Sequence, residues 1–511
     1  MPIKVNFKAV TICFVLNFLG EFLLIVLRKC NNFQYFVFVC NFMHYKKGAC
    51  AAIIHIQEKR GLVQEKKQIE GSCVPFPAYT AVRWYMEMVI HVVKQGESLY
   101  SIARDYGVNP RQLAVENDLS TKEPLVIGQT VVVQFPKTVH IVRAGQTLST
   151  IARQYGTTVT ALYRNNRWLS GQSTIREGDV LVIAYFNQPK GALVTAGYAY
   201  PSIHGELLRS ALPYLSHVLP FTYGIASDGS LLELTDARIL AVTRAYRTQP
   251  LLHLSTVTEQ GNFSNGRASM VLNDVTMQRN LAQDVLKMIQ EKGYAGVDVD
   301  FEFIFPEERE RYAQFIELLR QTLNPYGYSV TVALAPKTSA AQKGLLYEGH
   351  DYALLGDKAN DIFLMTYEWG YTYGPPMAVA PLPNVRQVVD YALTEIPAEK
   401  ISMGIPNYGY DWTLPYVQGI SKAQSISNVR AVELARSYGA EIQFDTYAQA
   451  PWFRYYDENG IEHEVWFEDA RSIRAKLLLA QEKGLRGVGY WNLDRPFPQN
   501  WLVLNAMSRI L

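Results

Sequence analysis

The chain has 511 residues, of which 48% are apolar and 12% aromatic, proportions typical of a globular protein with several domains rather than a disordered one. Its 49 basic and 47 acidic residues give a net charge of +2. Charge therefore gives no reason to expect a nucleic-acid partner.

The cysteines are confined to the first 73 residues of the chain. They are Cys13, Cys30, Cys40, Cys50 and Cys73. The rest of the chain can therefore depend on neither disulfides nor thiolate metal ligands. The nine histidines show no HExxH or paired spacing, so we expect no bound metal and no cofactor.

Residues 1–87 differ from the rest of the chain and fit two interpretations. Residues 9–27 are mostly apolar with basic residues on both sides, which is typical of a membrane anchor or a signal-like segment, although Glu21 lies within them. Alternatively, the start codon is assigned too far upstream and the product begins at Met86 or Met88. We favour the second interpretation and therefore expect no membrane partner. N-terminal sequencing of the native protein would test it.

A repeat with an offset of 49 residues follows this region. Residues 91–108, HVVKQGESLYSIARDYGV, correspond to residues 140–157, HIVRAGQTLSTIARQYGT. Each unit then ends in a glycine-containing turn and an apolar strand. We place the two units at residues 88–135 and 138–185.

Each unit predicts a βααβ module. The first helix begins after Ser98 or Thr147, and the second helix ends near Asn117 or Asn166. This pattern resembles the LysM module, in which a groove beside the loop that leads to the second strand binds glycans containing N-acetylglucosamine. The resemblance implies that the partner is peptidoglycan or another such glycan, and two copies in tandem favour avidity for a repeating polymer.

From residue 191 to residue 511, short apolar runs alternate with amphipathic helices, which predicts an α/β fold with a (β/α)₈ TIM barrel. The eight predicted strands are ALVTAGYAY, HVLPFTYGI, PLLHLSTV, AGVDVDFEF, YSVTVALAP, DIFLMTYEW, KISMGIPNYGY and RGVGYWNLD. An α+β insertion is predicted after the seventh strand, over residues 411–469. It contains a hairpin with Glu458-Asn459-Gly460 at its turn, which we expect to wall one side of a groove.

The fourth predicted strand carries Asp298, Asp300 and Glu302 at alternate positions. Residues two apart in a strand share a face, so the three acids point the same way. Such a cluster can bind Mg²⁺ or Ca²⁺, be purely structural, or catalyse glycoside hydrolysis. We favour hydrolysis, because crowding raises the pKa of an acid that must protonate the leaving glycosidic oxygen. Glu302 is the outermost of the three and has the longest side chain.

The string GVDVDFE resembles the DGxDxDxE signature of glycoside hydrolase family 18, the chitinase family. The resemblance implies substrate-assisted retaining catalysis, with Glu302 acting as acid and then as base. It implies that Asp300 steadies the substrate's acetamido group and that Asp298 adjusts Asp300. Tyr367, in LMTYEW, would hydrogen-bond the acetamido oxygen, and Trp491, in GYWNLD, would pack beneath the sugar.

Two positions depart from the family's pattern. The first Asp of the signature is replaced by Ala295, which would leave Asp298 as the sole partner of Asp300. The Asp that follows the tyrosine in the family is Glu368 here, which is one methylene longer and changes the positioning of the carboxylate. Neither change removes the acid Glu302.

Several residues beside the strand ends are candidates for contacts with the sugar. For each of them, packing or chain reversal is an alternative to substrate binding. They are Glu368, Trp369, Asn407, Tyr408, Tyr410 and Trp412.

Tandem LysM modules in front of such a barrel resemble the spore peptidoglycan hydrolases of endospore-forming bacteria. The resemblance implies an N-acetylglucosaminidase that acts on cortex peptidoglycan in the spore or the cell wall, and we expect it to be a monomer. A chitinase would share the catalytic residues and differ in the groove. A catalytically silent glycan-binding protein would typically lack the acid, whereas Glu302 is present.

Overall fold

The computed structural model describes residues 87–511 in full. Of residues 1–86 it describes only the backbone of five strands, which form an antiparallel sheet in chain order. They are β1 (Val10–Leu16), β2 (Leu23–Lys29), β3 (Tyr35–Phe42), β4 (Cys50–Gln57) and β5 (Gln68–Gly71). The rest of the anchor-like segment, and Met86, lie outside the described residues. Within the part that is described, no helix is long and apolar enough to cross a bilayer.

The first repeat folds as predicted into a strand, two helices and a strand. These elements are β6 (Val89–Val92), α1 (Leu99–Tyr106), α2 (Pro110–Asn117) and β7 (Thr130–Val133). Ser98 caps α1, because its hydroxyl accepts from the Ser101 N–H while the Ser101 hydroxyl accepts from the Ser98 N–H.

The second repeat has the same architecture. Its elements are β8 (Pro136–Ile141), α3 (Leu148–Gln154), α4 (Val159–Asn165) and β9 (Val180–Tyr185). Thr147 and Thr150 form the same reciprocal cap at the start of α3. Equivalent positions of the two repeats thus form the same local hydrogen bonds.

A buried asparagine closes the core of each module. The Asn117 side chain donates to the Leu113 carbonyl at 3.0 Å and to the Val132 carbonyl at 2.8 Å, and accepts from the Val132 N–H at 2.7 Å. Asn166 makes the corresponding three bonds in the second module. The amide therefore ties the second helix to the second strand, which explains why asparagine recurs at this point of the repeat.

The segment from residue 192 to residue 406 alternates strands and helices, as the hydrophobic pattern predicts. Its elements are β10 (Ala192–Ala199), α5 (Gly205–Ala211), β11 (His217–Pro220), β12 (Gly224–Ile225), β13 (Leu231–Leu232), α6 (Ala237–Arg244), β14 (Gln249–Pro250), β15 (Leu252–Ser255), α7 (Asn265–Leu272), α8 (Val275–Lys292), β16 (Gly296–Asp300), α9 (Arg309–Leu323), β17 (Ser329–Leu334), α10 (Tyr352–Lys358), β18 (Asp361–Leu364), α11 (Leu382–Glu395) and β19 (Ile401–Pro406). The helix α8, for example, is capped by the Asp274 side chain and ends at Gly293, where φ is 76°.

The insertion is a five-stranded antiparallel sheet with one helix, and it begins at Tyr408 rather than at residue 411. Its elements are β20 (Tyr408–Thr413), β21 (Gln424–Ser427), α12 (Asn428–Ser437), β22 (Gln443–Asp445), β23 (Ala450–Tyr456) and β24 (Glu462–Trp466). The predicted hairpin joins β23 to β24. Its turn contains Gly460 at a φ of 74° and is closed by the Asp457 carboxylate, which accepts from the Ile461 N–H.

The last elements complete the barrel. They are α13 (Ala470–Glu482), β25 (Gly487–Trp491), α14 (Pro498–Met507) and β26 (Arg509–Ile510). All strands of the barrel are parallel, with β25 between β10 and β19. The third barrel position consists of two pieces, since β14 pairs with β11 and β15 pairs with β16. The barrel therefore has eight strand positions and closes on itself.

Both LysM modules are hydrogen-bonded to the barrel. The Gln499 side chain at the start of α14 donates to the Thr130 carbonyl at 2.6 Å and accepts from the Thr130 hydroxyl at 2.7 Å. Tyr214 donates its hydroxyl to the Arg164 carbonyl of the second module at 2.7 Å. The modules are thus fixed by direct contacts and not only by their linkers.

Candidate active site

The predicted acidic residues lie at the carboxyl end of β16, the fourth strand position of the barrel. Asp298 and Asp300 point into the barrel and are 0% and 5% exposed, whereas Val297 and Val299 face the surrounding helices. The strand ends at Asp300, so Glu302 lies just beyond it, half-buried at the mouth of the barrel. This is the end at which (β/α)₈ barrels place their catalytic groups.

Asp298 has two partners that the sequence did not reveal. The Tyr198 hydroxyl on β10 donates to Asp298 Oδ2 at 3.1 Å. The His253 Nε2 on β15 lies 3.7 Å from Asp298 Oδ2 and 3.6 Å from Asp300 Oδ2. The expectation that Asp298 alone would support Asp300 is therefore wrong. Burial raises the pKa of Asp298 to about 6, an effect that His253 opposes.

The position of the missing acid explains why an alanine is tolerated there. Ala295 is partly buried just before β16 and packs against an apolar cluster that includes Leu251, Ala333 and Phe363. An ionised carboxylate at this point would have to be desolvated among apolar side chains. The change to Ala295 thus removes a charge next to apolar side chains and leaves the acids nearer the mouth in place.

Glu302 has the environment of a general acid. Burial, followed by the negative charges of Asp300 and Glu368, raises its pKa well above that of an exposed glutamate. Burial likewise raises the pKa of Asp300. Near neutral pH the Glu302 carboxyl therefore tends to hold a proton, which it can donate to a group that enters the mouth of the barrel.

A second histidine fixes the peptide between Asp300 and Glu302. His350 is fully buried, and its Nδ1 accepts from the Ala335 N–H at 2.9 Å. Its Nε2 must therefore carry the proton, which it donates to the Phe301 carbonyl at 2.9 Å. Burial lowers the pKa of His350 to about 4, so the ring stays neutral. Because His350 lies in a loop, nothing in the strand pattern pointed to it.

Tyr367 and Trp491 lie against the same two clusters, and their predicted contacts with the sugar stay predictions. Both pack against the aromatic cluster around Tyr198 and against the cluster of the insertion. Gly404 leaves room for the Tyr367 ring, since a Cβ there would lie 2.7 Å from the ring. Burial, together with the charges of Asp300 and then Glu302, raises the pKa of Tyr367 well above its ordinary value. The Tyr367 phenol therefore remains a hydrogen-bond donor.

Glu368 is held by the insertion. Its carboxylate accepts a short hydrogen bond from the Tyr408 hydroxyl and a second one from the Tyr410 hydroxyl at 3.1 Å. The residue has a φ of 69°, an uncommon conformation for a glutamate. The two tyrosine hydroxyls thus fix the carboxylate despite its extra methylene. Tyr408 and Tyr410 connect β20 to the site, and their direct contact with substrate stays a prediction.

The remaining candidates lie at different depths. Asn407 is buried, and its amide is 3.4 Å from the Asn492 carbonyl. Trp369 is partly buried beside the barrel mouth. Trp412 is only 1% exposed and donates to the Gly374 carbonyl at 2.8 Å, so it is a core residue of the insertion and not a platform for a sugar. The roles of Asn407 and Trp369 in substrate binding stay predictions.

This geometry defines a class of protein. A (β/α)₈ barrel that holds a half-buried glutamate with a raised pKa beside a buried aspartate at the carboxyl end of a strand is suited to donate a proton to a glycosidic oxygen. The class that the fold and the site define is the glycoside hydrolases.

Comparison with known proteins makes the assignment specific. The profile of "Glycosyl hydrolases family 18" matches residues 251–495, and the LysM domain profile matches residues 91–134 and 140–184. The chain is 40% identical over 434 residues to the cortical fragment-lytic enzyme of Bacillus subtilis (strain 168), covering 83% of this chain and 99% of that protein. It is 39% identical over 425 residues to the enzyme of the same name from Bacillus cereus, covering 81% and 97%.

A solved structure agrees with these matches. The crystal structure of the Bacillus cereus spore cortex-lytic enzyme SleL superposes with a TM-score of 0.71 at 38% identity, covering 83% of this chain and 99% of that chain. The present chain belongs to glycosyl hydrolase family 18 and carries tandem LysM domains.

Proposed function

We propose that this enzyme is an N-acetylglucosaminidase that cleaves spore cortex peptidoglycan after N-acetylglucosamine. The observation that carries the proposal is Glu302, a half-buried acid with a raised pKa beside Asp300 at the barrel mouth. The names of the relatives, cortical fragment-lytic and spore cortex-lytic enzymes, support the substrate. Spore or cell wall is the location that fits this substrate.

The proposed reaction is substrate-assisted and retains the anomeric configuration. Glu302 donates its proton to the glycosidic oxygen as the bond to the anomeric carbon breaks. The carbonyl oxygen of the substrate's own acetamido group attacks that carbon, while Asp300 steadies the acetamido N–H and Tyr367 donates to its oxygen. Glu302, now ionised, then takes a proton from the water that opens the cyclic intermediate.

The LysM modules supply the second part of the proposal, which is binding of the polymer. Two modules held on one rigid barrel domain raise the effective concentration of the glycan strand near the active site. We propose that the enzyme acts as a monomer on its polymeric partner.

The test compares two polymers and two variants. The purified enzyme is expected to release reducing ends faster from purified cortex fragments than from colloidal chitin. Glu302→Gln should lower the rate on cortex fragments by about 10²–10⁴-fold, since proton donation is lost. Glu307→Gln, an exposed glutamate nearby, is the matched control and should leave the rate unchanged.

The alternatives predict different outcomes of this comparison. A chitinase would degrade colloidal chitin faster than cortex fragments. A silent glycan-binding protein would bind both polymers and degrade neither. If Glu302→Gln retained the parent rate on cortex fragments, the proposed mechanism would be wrong.

A further inference from the structure

His253 is a titratable residue at the floor of the site that the reaction described above does not use. It lies on β15 in the apolar run LLHLS and is buried among the acids and two aromatic rings. The Tyr198 ring meets it edge-on with a centroid distance of 5.4 Å, and the Phe221 ring lies at 4.8 Å. A buried histidine between two carboxyl groups is a candidate functional residue.

The contacts of His253 favour one of the two positions for its ring proton. Asp298 Oδ2, the oxygen that faces Nε2, already accepts from the Tyr198 hydroxyl. An unprotonated Nε2 would therefore face an acceptor with its lone pair. The Thr222 hydroxyl can donate to Nδ1, which at 2.6 Å is nearer to it than its other acceptors, the Ser255 hydroxyl and the Tyr223 and His253 carbonyls at 3.0–3.2 Å. The consistent arrangement has the proton on Nε2, pointing between Asp298 and Asp300.

Nε2 of His253 lies almost equally far from the two acids. Nε2 lies 3.7 Å from Asp298 Oδ2 and 3.6 Å from Asp300 Oδ2, and both distances exceed that of a normal hydrogen bond. A shift of less than about 1 Å would bring either oxygen within hydrogen-bond distance of Nε2, which carries a single proton to donate. The imidazole is thus placed between two alternative acceptors.

We propose that His253 is a positioning residue, a shared donor whose Nε2–H bonds whichever of Asp298 and Asp300 carries the negative charge. Two neighbouring buried carboxyl groups do not both ionise readily, so the pair holds a single charge that either member can carry. When the Asp300 carboxylate faces the substrate, the His253 N–H is free to bond Asp298. The residue acts through the acids and does not touch the substrate.

The groups that face His253 are consistent with this role. The titratable ones are Tyr198 from β10 and Asp298 and Asp300 from β16, while Thr222 and Phe221 close the remaining sides. Burial lowers the pKa of His253 to about 4, so the ring is a neutral donor at neutral pH. A neutral donor stabilises a carboxylate without adding a second buried charge.

The experiment uses the full chain and two substitutions, and it rests on the proposed function. His253→Phe keeps the ring between Tyr198 and Phe221 but removes the N–H, whereas His253→Gln keeps an N–H donor that cannot titrate. We measure kcat and KM on cortex fragments across pH, with the melting temperature of each variant. His204→Phe, at an exposed position before α5, is the control.

The expected result separates the two variants. His253→Phe should lower kcat by about 10²-fold with KM within about threefold, the loss expected for one preorganised donor. Loss of the donor raises the pKa of the acid pair. The acidic limb of the pH profile of kcat for His253→Phe should therefore move to higher pH. His253→Gln should recover most of the parent kcat. If His253→Phe melts below the assay temperature, His253→Met replaces it in the comparison with His253→Gln.

Two results would overturn this inference. One is a kcat within threefold of the parent for His253→Phe with an unmoved acidic limb. The other is a His253→Gln variant that is as slow as His253→Phe, because an N–H donor at this position would then not restore activity. An inactive parent enzyme would instead overturn the proposed function, so the two failures are distinguishable.

Discussion

The acids of this site differ in function because their surroundings differ. Asp298 is closed off by Tyr198 and His253, so it can adjust a neighbour but cannot reach a substrate. Glu302 lies beyond the end of β16, where burial and the charges of Asp300 and Glu368 keep it protonated. Alternation along the strand places the three acids on one face. Because they lie at different depths in the barrel, they have different functions.

Tyr367 allows a test at the same scale. Tyr367→Phe removes only a hydroxyl that we expect to bond the acetamido oxygen in the transition state. It should lower kcat on cortex fragments by about 10²-fold with little change in KM. Tyr456→Phe, on the exposed side of the insertion, is the matched control. Equal rates for Tyr367→Phe and the parent would exclude Tyr367 from the reaction.

The sequence was informative about single residues on one strand and not about residues that meet across the barrel. The period of two along β16 was enough to group Asp298, Asp300 and Glu302. Tyr198 and His253 reach the same place from β10 and β15, and only closure of the barrel brings them together. The signal that existed was one histidine inside an otherwise apolar strand.

At the scale of elements, local hydrogen bonds explain why the predicted modules form. The reciprocal caps at Ser98 and Thr147 start the first helices, and the buried amides of Asn117 and Asn166 join helix to strand. Such bonds depend on neighbours in sequence, so spacing alone predicts them. Strand ends depend on tertiary pairing, which is why β16 ends at Asp300 and the insertion begins at Tyr408.

The asparagines give a prediction for the modules. Asn117→Ala leaves the N–H and carbonyl of Val132 without their side-chain partner in a buried site, which should cost about 1–3 kcal/mol of unfolding free energy. Asn166→Ala should cost a similar amount, because its bonds are the same. Asn262→Ala, at an exposed position, is the control. Denaturant unfolding measures all three, and a cost below about 0.5 kcal/mol for both module variants would contradict this account.

At the scale of the whole molecule, the LysM modules and the barrel form one body whose contacts the sequence did not reveal. Gln499 lies far along the chain from Thr130, and neither residue stands out in composition or pattern. The modules were predictable because they repeat, and the barrel because its strands and helices alternate. Their docking depends on a few polar side chains from distant segments, which no single-sequence pattern identifies.

The buried acids make a prediction about stability and pH. Asp298, Asp300 and Glu302 have raised pKa values in the folded protein, so the folded state binds more protons than the unfolded state above about pH 4. Their contribution is favourable at low pH and is lost as pH rises through the raised pKa values. Glu302→Gln should therefore raise the melting temperature at pH 8 by roughly 2–4 °C and have less effect at pH 5.

Calorimetry at the two pH values checks this prediction. The matched control is Glu307→Gln, which makes the same substitution at an exposed position. A Glu302→Gln variant that was less stable than the parent at pH 8 would show that the Glu302 carboxyl does not destabilise the folded protein at that pH.

The central claim is that Glu302 cleaves the bond after N-acetylglucosamine in cortex glycan, and the reducing end of the products reports this bond directly. Defined cortex fragments are digested with the parent enzyme and with Glu302→Gln, and the products are reduced and sequenced by mass spectrometry. The account predicts that the parent enzyme yields fragments ending in N-acetylglucosamine and that the variant yields almost none. Fragments ending in a muramic acid residue would contradict it.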